Sequence, residues 1–310
     1  MNSKHAETIR QAIHELSEYD LLKGLCHEQQ HAYPMPSTAV LENIIQLCRA
    51  VLFPGYFGNA SISRQNLTYH IGINIEEIFQ LLSGQIQAGL CFSLQTDTES
   101  LEGCKEQTYQ KERWMEIRDH SEALATSFIR TLPEIRSILA TDVTASYNGD
   151  PAAGSIDEVI YCYPGIRAIS NYRIAHKLLD LGVPIIPRMI TEMAHSETGI
   201  DIHPGAIIGD HFAIDHGTGV VIGATAVIGN HVKLYQGVTL GAKSFPLDDE
   251  GHPIKGIPRH PILKDHVIIY SNATILGRVI IGEGATIGGN IWITEDVAPN
   301  TRIIQSKARK

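Results

Sequence analysis

The sequence has 310 residues but few cysteines, and none of them is well placed for pairing. The five are Cys26, Cys48, Cys91, Cys104 and Cys162. Their number is odd, they lie far apart, and no two form a C-x-x-C pair, so the sequence predicts neither a disulfide framework nor a zinc knuckle. A reducing compartment fits this pattern best.

Basic charge and long apolar runs are also lacking. Lys and Arg number 25 against 34 Asp and Glu, and the net charge of −9 argues against capture of nucleic acid or of an anionic membrane. Lys307, Arg309 and Lys310 are interpreted as a solvated tail. No run of about 18 residues is apolar, and residues 1–15 do not form an apolar signal segment. We therefore expect a cytoplasmic protein with no membrane and no nucleic-acid partner.

Helical periodicity dominates residues 4–193. An apolar series at steps of three and four residues is made by Ile71, Ile75, Ile78, Phe79 and Leu82. Pro- and Gly-rich stretches separate the helical segments, and residues 165–181 and 187–195 are each predicted to form a helix. The first part of the chain is therefore predicted to be mostly α-helical.

From Ile202 the period of the aliphatic residues changes to six. The repeated positions are Ile202, Ile208, Ile214, Ile222, Ile228, Leu234, Leu240, Leu263, Ile269, Ile275, Ile281, Ile287 and Ile293. Gly follows many of them directly, and small or β-branched residues follow four positions later. A six-residue period fits a coil of three short parallel strands with tight corners, in which aliphatic side chains stack inside a prism.

The predicted fold class is α+β. An α-helical domain at residues 1–195 is expected to serve oligomerisation and part of the substrate pocket, and a left-handed parallel β-helix is expected at 196–310. The period breaks at about 242–261, where Pro, Gly, Asp and Glu cannot continue the strands, so this stretch is predicted to leave the prism as a loop. The eight-residue step from Ile214 to Ile222 marks a smaller insertion.

A carboxylate and a histidine flank the first strands of the predicted coil. Asp201 and His216 are 15 positions apart, and one coil takes about 18 residues, so the two could meet on neighbouring coils. An imidazole held by a carboxylate is fixed in one tautomer and becomes a better base, which suits removal of a proton from an alcohol. On spacing alone, the alternative that His203 or His216 only fills a corner stays open.

Several motifs resemble serine acetyltransferases in order and spacing. They are residues 149–152 (GDPA), 172–176 (YRIAH), 201–206 (DIHPGA), 215–219 (DHGTG), 236–241 (QGVTLG) and 259–261 (RHP). The resemblance covers residues 142–297. It implies direct transfer of the acetyl group of acetyl-CoA to the hydroxyl of L-serine, giving O-acetyl-L-serine and CoA.

The resemblance also implies roles for single residues. His216 would be the general base, Asp201 would orient it, and His260 would complete the pocket. The substrate-binding positions are Asp150 and Asp215 for the ammonium group and Arg259 for the carboxylate. The positions that match the acetyl-CoA site are Ala242, Ser271, Gly277 and Gly289. No metal is expected.

Partners follow from the same resemblance. It implies a homo-trimer or a dimer of trimers with active sites between prism faces, and L-cysteine as a feedback inhibitor in the serine pocket. Family members that dock into cysteine synthase usually end in isoleucine, whereas this sequence ends in residues 306–310 (SKARK), so such docking is expected to be weak or missing.

Three alternatives remain for the predicted prism. Another hexapeptide acyltransferase would act on a sugar nucleotide or an antibiotic, but Asp150, Asp215 and Arg259 suit a small zwitterion better. A zinc hydrase would use His211 and His216 as ligands, which would leave the other motifs without a part. A non-enzymatic scaffold would not need a base and its carboxylate.

Overall fold

Helices precede short strands in this computed structural model, which describes residues 3–18, 35–58, 61–96, 107–244 and 246–305. The helices are α1 (Ser3–Ser17), α2 (Thr38–Leu52), α3 (Leu67–Thr96), α4 (Gln107–Gly149), α5 (Ile156–Cys162), α6 (Pro164–Asp180) and α7 (Ile186–Thr198). The strands are β1 (Asp201–Ile202), β2 (Ile207–Ile208), β3 (Ala213–Asp215), β4 (Val221–Ile222), β5 (Val227–Ile228), β6 (Lys233–Tyr235), β7 (Thr239–Gly241), β8 (Ile262–Leu263), β9 (Ile268–Ile269), β10 (Thr274–Leu276), β11 (Ile280–Ile281), β12 (Thr286–Ile287), β13 (Trp292–Ile293) and β14 (Arg302–Ile303). The prediction of helices followed by a left-handed parallel β-helix is confirmed.

The chain divides into two compact units, Met1–Pro34 and Met35–Lys310. The first contains α1, an exposed amphipathic helix. In the second, α2–α7 and the β-helix contribute to one continuous cluster of buried apolar side chains. The proposed domain division at 195/196 therefore stays a prediction, although the secondary structure changes close to it, between Thr198 and Asp201.

The predicted basic tail and two of the five cysteines lie outside the described residues. They are residues 306–310, Cys26 and Cys104. Among the described cysteines, Cys48, Cys91 and Cys162 carry free thiols. No helix among the described residues has the length and apolar character needed to cross a membrane.

The helices form where the apolar period predicts them. Ser37 caps α2 by accepting a hydrogen bond from the backbone N–H of Val40, which satisfies one donor that the first turn leaves unpaired. In α3 the predicted apolar face is turned inward, and Ile78 and Leu82 are fully buried. Both predicted helices at 165–181 and 187–195 are present as α6 and α7.

Three parallel sheets form the walls of the β-helix. Sheet S1 is ordered β1-β4-β7-β10-β13, sheet S2 is ordered β2-β5-β8-β11, and sheet S3 is ordered β3-β6-β9-β12-β14. All thirteen aliphatic positions of the six-residue period are buried, with at most 8% of any residue exposed. In S1, Ile202, Ile222, Leu240, Ile275 and Ile293 lie in register on successive strands. The predicted interior stack is confirmed.

Three corners join the sheets, and each is named here by the two sheets it connects. The S1–S2 corner holds residues 203–206, 223–226, 242–261 and 277–279; the S2–S3 corner holds 209–212, 229–232, 264–267 and 282–285; the S3–S1 corner holds 216–220, 236–238, 270–273 and 288–291. The insertion predicted after Ile214 lengthens the S3–S1 corner at 216–220. The predicted loop at 242–261 leaves the prism at the S1–S2 corner, between β7 and β8.

A buried ion pair fixes the helices on the first coil. Arg173 of α6 and Asp142 of α4 have side chains 6% and 0% exposed and lie 3.1 Å apart. Arg173 also donates to the carbonyls of Ile208 and Gly209, both at 2.6 Å, and Asp142 accepts from the N–H of Phe212 at 2.9 Å. Burial raises the pKa of Asp142 to about 6, against the opposing effect of Arg173. Ile208 ends β2, the outermost strand of sheet S2, and Gly209 and Phe212 lie in the adjoining S2–S3 corner. No coil precedes the first one, so the ion pair satisfies backbone groups that a neighbouring strand would otherwise bind.

Candidate active site

The predicted site residues lie at two different corners of one prism. Asp215 and His216 are at or next to the S3–S1 corner, and Arg259 and His260 are at the S1–S2 corner. Asp150 follows the end of α4 and comes from the helical part of the chain. The two groups have different surroundings.

At the S3–S1 corner, the longer turn displays His216. The residue has a left-handed backbone conformation with φ of 58°, and its side chain is 75% exposed. Its Nε2 lies 3.9 Å from Oδ1 of Asp215, whose side chain is only 15% exposed at the end of β3. The imidazole is therefore open to solvent on one side and faces a carboxylate on the other.

Asp150 is fixed close to this corner. Its Oδ2 accepts a hydrogen bond from the Tyr163 hydroxyl at 2.5 Å, and its Oδ1 accepts from the N–H of Ala152 at 2.8 Å. These two bonds lower the pKa of Asp150, because they favour the charged carboxylate. Asp150, Tyr163 and Asp215 line one small cleft. The structure thus brings together both carboxylates that the resemblance assigns to the substrate ammonium.

Lys233 also lines this cleft, and the sequence reasoning missed it. Its Nζ lies 2.9 Å from Oδ2 of Asp215, donates to the carbonyl of Gly149 at 2.6 Å, and lies 4.5 Å from the centre of the Tyr235 ring. Burial opposes its charge, but hydrogen bonds to Tyr235 and Asp215 raise the pKa of Lys233. Lys233 neutralises one of the two carboxylates. Lys233 precedes the interior Leu234 in β6, at a position that is polar in several other strands, so the sequence alone gave no reason to single it out.

At the S1–S2 corner, His260 is buried, with 7% of the residue exposed. Its Nδ1 lies 3.1 Å from the backbone N and 2.8 Å from Oγ1 of Thr225. Burial, followed by the positive charge of Arg259, lowers the pKa of His260 to about 4, so the imidazole is neutral at neutral pH. Thr225 was not among the predicted site residues, and its partners could not be identified without the register of the coils.

Asp201 lies between these corners, on β1 of sheet S1. Its Oδ1 is 3.8 Å from Nη1 of Arg188. Within one chain, no hydrogen bond or ion pair among the described residues joins Asp201 to His216. The part of Asp201 as the orienting carboxylate stays a prediction.

The positions that match the acetyl-CoA site also fall at two corners. Ser271 and Gly289 are neighbours at the S3–S1 corner, where a Cβ on Gly289 would lie 3.1 Å from the carbonyl oxygen of Ser271. Ala242 and Gly277 are at the S1–S2 corner, and Gly277 has φ of 93°. Packing of neighbouring coils thus accounts for Gly289, and the assignment of all four positions to acetyl-CoA stays a prediction.

Two groups of described side chains could hold a metal ion, namely Asp210 with His211 and His231, and Glu192 with His195 and Asp201. The zinc alternative pairs His211 with His216, but these lie at the S2–S3 and S3–S1 corners respectively. The expectation that the reaction requires no metal stays a prediction.

Comparison with known proteins identifies the family. No protein-family model matches the chain. The chain is 46% identical over 303 residues to a protein of Synechococcus elongatus named serine acetyltransferase, plasmid, with 98% of this chain and 91% of that protein covered.

Solved structures agree. Serine acetyltransferase 1 of Entamoeba histolytica in complex with L-cysteine superposes with a TM-score of 0.70 at 33% identity, covering 94% of each chain. Soybean serine acetyltransferase complexed with serine superposes with a TM-score of 0.52 at 28% identity, covering 89% of this chain and 99% of that one. The relative aligned over nearly the whole chain and the shared β-helical architecture together show that this chain belongs to the serine acetyltransferase family.

Proposed function

We propose that this chain transfers the acetyl group of acetyl-CoA to the hydroxyl of L-serine, with His216 as the general base. The observation that carries the proposal is the grouping of His216, Asp150 and Asp215 around one corner of the prism. Family membership supports the reaction, and the cytoplasm is the compartment that fits the free thiols.

The S3–S1 corner supplies the base and the ammonium site. The exposed imidazole of His216 can take the proton from the serine hydroxyl, and the backbone turn holds it at the rim of the cleft. Asp150 and Asp215 present carboxylate oxygens to a substrate ammonium group, with Tyr163 and Lys233 keeping them ordered. The charge of this half fits the α-amino end of an amino acid.

The S1–S2 corner supplies groups for the other end of the substrate. Arg259 offers a guanidinium that suits a carboxylate in two-point contact. His260, neutral and buried beside it, can donate one more hydrogen bond from Nε2. Together with the ammonium site, these groups select a small zwitterion over a sugar.

Because the two halves lie at different corners of one chain, we propose that a complete site is assembled by two chains. A cyclic trimer would place the S3–S1 corner of one protomer against the S1–S2 corner of the next. Ser271 and Gly289 on one side and Ala242 and Gly277 on the other would then hold acetyl-CoA along this contact. Acetyl-CoA supplies the thioester carbonyl that the serine hydroxyl attacks, and CoA leaves.

We also propose that L-cysteine inhibits the enzyme by occupying the serine pocket. Cysteine has the same ammonium and carboxylate groups as serine, so the same charged residues can bind it. A relative in Entamoeba histolytica has been solved in complex with L-cysteine. Inhibition is therefore expected to be competitive with serine.

The direct test of the reaction follows release of the CoA thiol from acetyl-CoA with L-serine as acceptor. We expect release that requires serine and is inhibited competitively by L-cysteine. Release with a sugar or another amine, but not with serine, would overturn the acceptor; no release with any acceptor would overturn the enzymatic function.

A further inference from the structure

Thr225 lies at the S1–S2 corner between β4 and β5, where it binds the end of the extruded loop. Its hydroxyl oxygen accepts from the N–H of Arg259 at 2.9 Å and from the N–H of His260 at 3.2 Å. The same hydroxyl lies 2.8 Å from Nδ1 of His260, close enough for its own proton to share the lone pair of that ring nitrogen. One side chain therefore orders two consecutive residues of the loop.

A second contact defines the tautomer of His260. The backbone N–H of Thr225 donates to the same Nδ1 at 3.1 Å. A backbone N–H can only donate, so Nδ1 must be free of a proton, and the neutral ring carries its proton on Nε2. Nε2 makes no hydrogen bond with any described residue, so this donor is available to a ligand.

The ring is also held against rotation and translation. Gly223 packs so closely on it that a Cβ there would lie 2.0 Å from Cδ2 and 2.1 Å from Nε2 of His260. Nη1 of Arg278 donates to the carbonyl of His260 at 3.0 Å and to that of Thr225 at 2.5 Å. The corner is thus built around one orientation of the imidazole.

The surroundings of His260 favour its neutral form. Burial, followed by the charges of Arg259, His203 and Arg278 that face it, lowers the pKa of His260 to about 4. A ring that is neutral and has its Nδ1 engaged cannot act as a base at Nε2, which already carries the proton. It can act as a fixed donor.

We propose that Thr225 is a positioning residue that locks His260 as the Nε2–H tautomer, so that His260 donates a hydrogen bond to the substrate carboxylate beside Arg259. The inference rests on the proposed function for the identity of the ligand. The tautomer itself depends only on the contacts at this corner.

The first arm of the test is nuclear magnetic resonance of the full-length protein with histidine labelled by ¹⁵N and ¹³C, the His260 signal being assigned by its loss in His260→Asn. At neutral pH we expect the pattern of a neutral ring protonated at Nε2. A ring protonated at Nδ1, or an even mixture of tautomers, would overturn the lock whether or not the protein acetylates serine.

The second arm is kinetic and compares Thr225→Val with Thr225→Ser. Loss of one well-placed hydrogen bond corresponds to about tenfold in binding, so Thr225→Val should raise KM for serine about tenfold with little change in kcat. Thr225→Ser, which keeps the hydroxyl, should stay close to wild type. A loss confined to kcat, or equal KM values for both variants and wild type, would overturn the positioning role.

The two arms separate this inference from the proposed function. If the wild-type protein releases no CoA with serine, the proposed function fails while the resonance experiment still decides the tautomer. If serine is acetylated but the tautomer differs, the function stands and the role of Thr225 falls. Melting temperatures of both variants show whether a kinetic change reflects loss of folding.

Discussion

Single residues carry the chemistry, and His216 is the one with the most specific assignment. It occupies a left-handed turn position with φ of 58°, and His266 occupies a comparable position at the S2–S3 corner with φ of 60°. Asparagine tolerates this conformation, so substitution by Asn leaves the turn intact at both positions. The two histidines therefore form a matched pair for mutation.

We predict that His216→Asn lowers kcat for serine acetylation by about 100-fold or more, because the general base is lost. His266→Asn should leave kcat close to wild type. Steady-state rates of CoA release for both variants at equal protein concentration test the prediction. Similar losses in the two variants would show that the turn, and not the base, matters.

A second prediction concerns His260 and the pH dependence of stability. Its pKa in the folded protein is lowered from the ordinary value of 6.5 to about 4, so between these values the unfolded chain binds a proton that the folded chain does not. Stability is therefore lost as the pH falls from 6.5 towards 4. His260→Asn keeps an acceptor for Thr225 but does not titrate, and its stability should fall less over this window.

Urea unfolding of both proteins at several pH values across this window measures the effect. As the pH decreases from 6.5 towards 4, the free energy of unfolding of the wild type should fall more than that of His260→Asn. Parallel pH dependences would mean that His260 titrates normally in the folded protein.

At the residue scale, the resemblance to serine acetyltransferases pointed to Asp150, Asp215 and His216, and the structure places these three residues around one corner of the prism, while their roles stay predictions. Thr225 and Lys233 were missed. Their importance comes from partners that are close in space only through the register of successive coils and through the docking of α4. A single sequence does not fix that register.

Among the elements, the β-helix coils depend on their interior stack. Ile280 and Ile281 are adjacent in β11, but Ile281 is fully buried while Ile280 is 38% exposed. We predict that Ile281→Ala lowers the free energy of unfolding by about 2–5 kcal/mol, and that Ile280→Ala costs much less. Chemical denaturation of the two variants checks this; equal costs would contradict the inward orientation of Ile281.

The docking of α4 and α6 on the first coil depends on the Asp142–Arg173 pair. Asp142→Asn leaves a buried guanidinium without its counter-charge, and we predict a loss of about 3–5 kcal/mol. The ion pair between Glu134 and Lys177 joins the same two helices but is much more exposed. Glu134→Gln should cost about 1 kcal/mol or less. Comparable losses in both variants would contradict a special role for the buried pair.

The six-residue period predicted the elements of the prism in detail, including its interior positions, the longer corner at 216–220 and the loop at 242–261. A strong local repeat does this because each coil copies the geometry of the last. The helical part was predicted only as helix. Its packing on the first coil depends on a buried charge pair between residues 31 positions apart, which periodicity does not reveal.

At the scale of the whole molecule, the proposed function predicts that each active site is assembled from two chains. His216 and His260 lie at different corners of the same prism, and in a closed ring a neighbouring chain would bring two such corners together. We therefore predict that two impaired variants, each damaged in a different half, restore one another.

The most direct measurement is to co-express His216→Asn and His260→Asn with different affinity tags, purify the mixed oligomer through both tags, and measure serine-dependent CoA release. With serine below KM, His216→Asn alone should be nearly inactive, and His260→Asn alone should retain about a tenth of wild-type activity because it loses one hydrogen bond to the substrate carboxylate. The mixed oligomer should recover about a third of the wild-type activity per site, because each mixed ring of three chains contains one contact with both histidines intact. A mixed oligomer no more active than its separate parents would contradict the shared site.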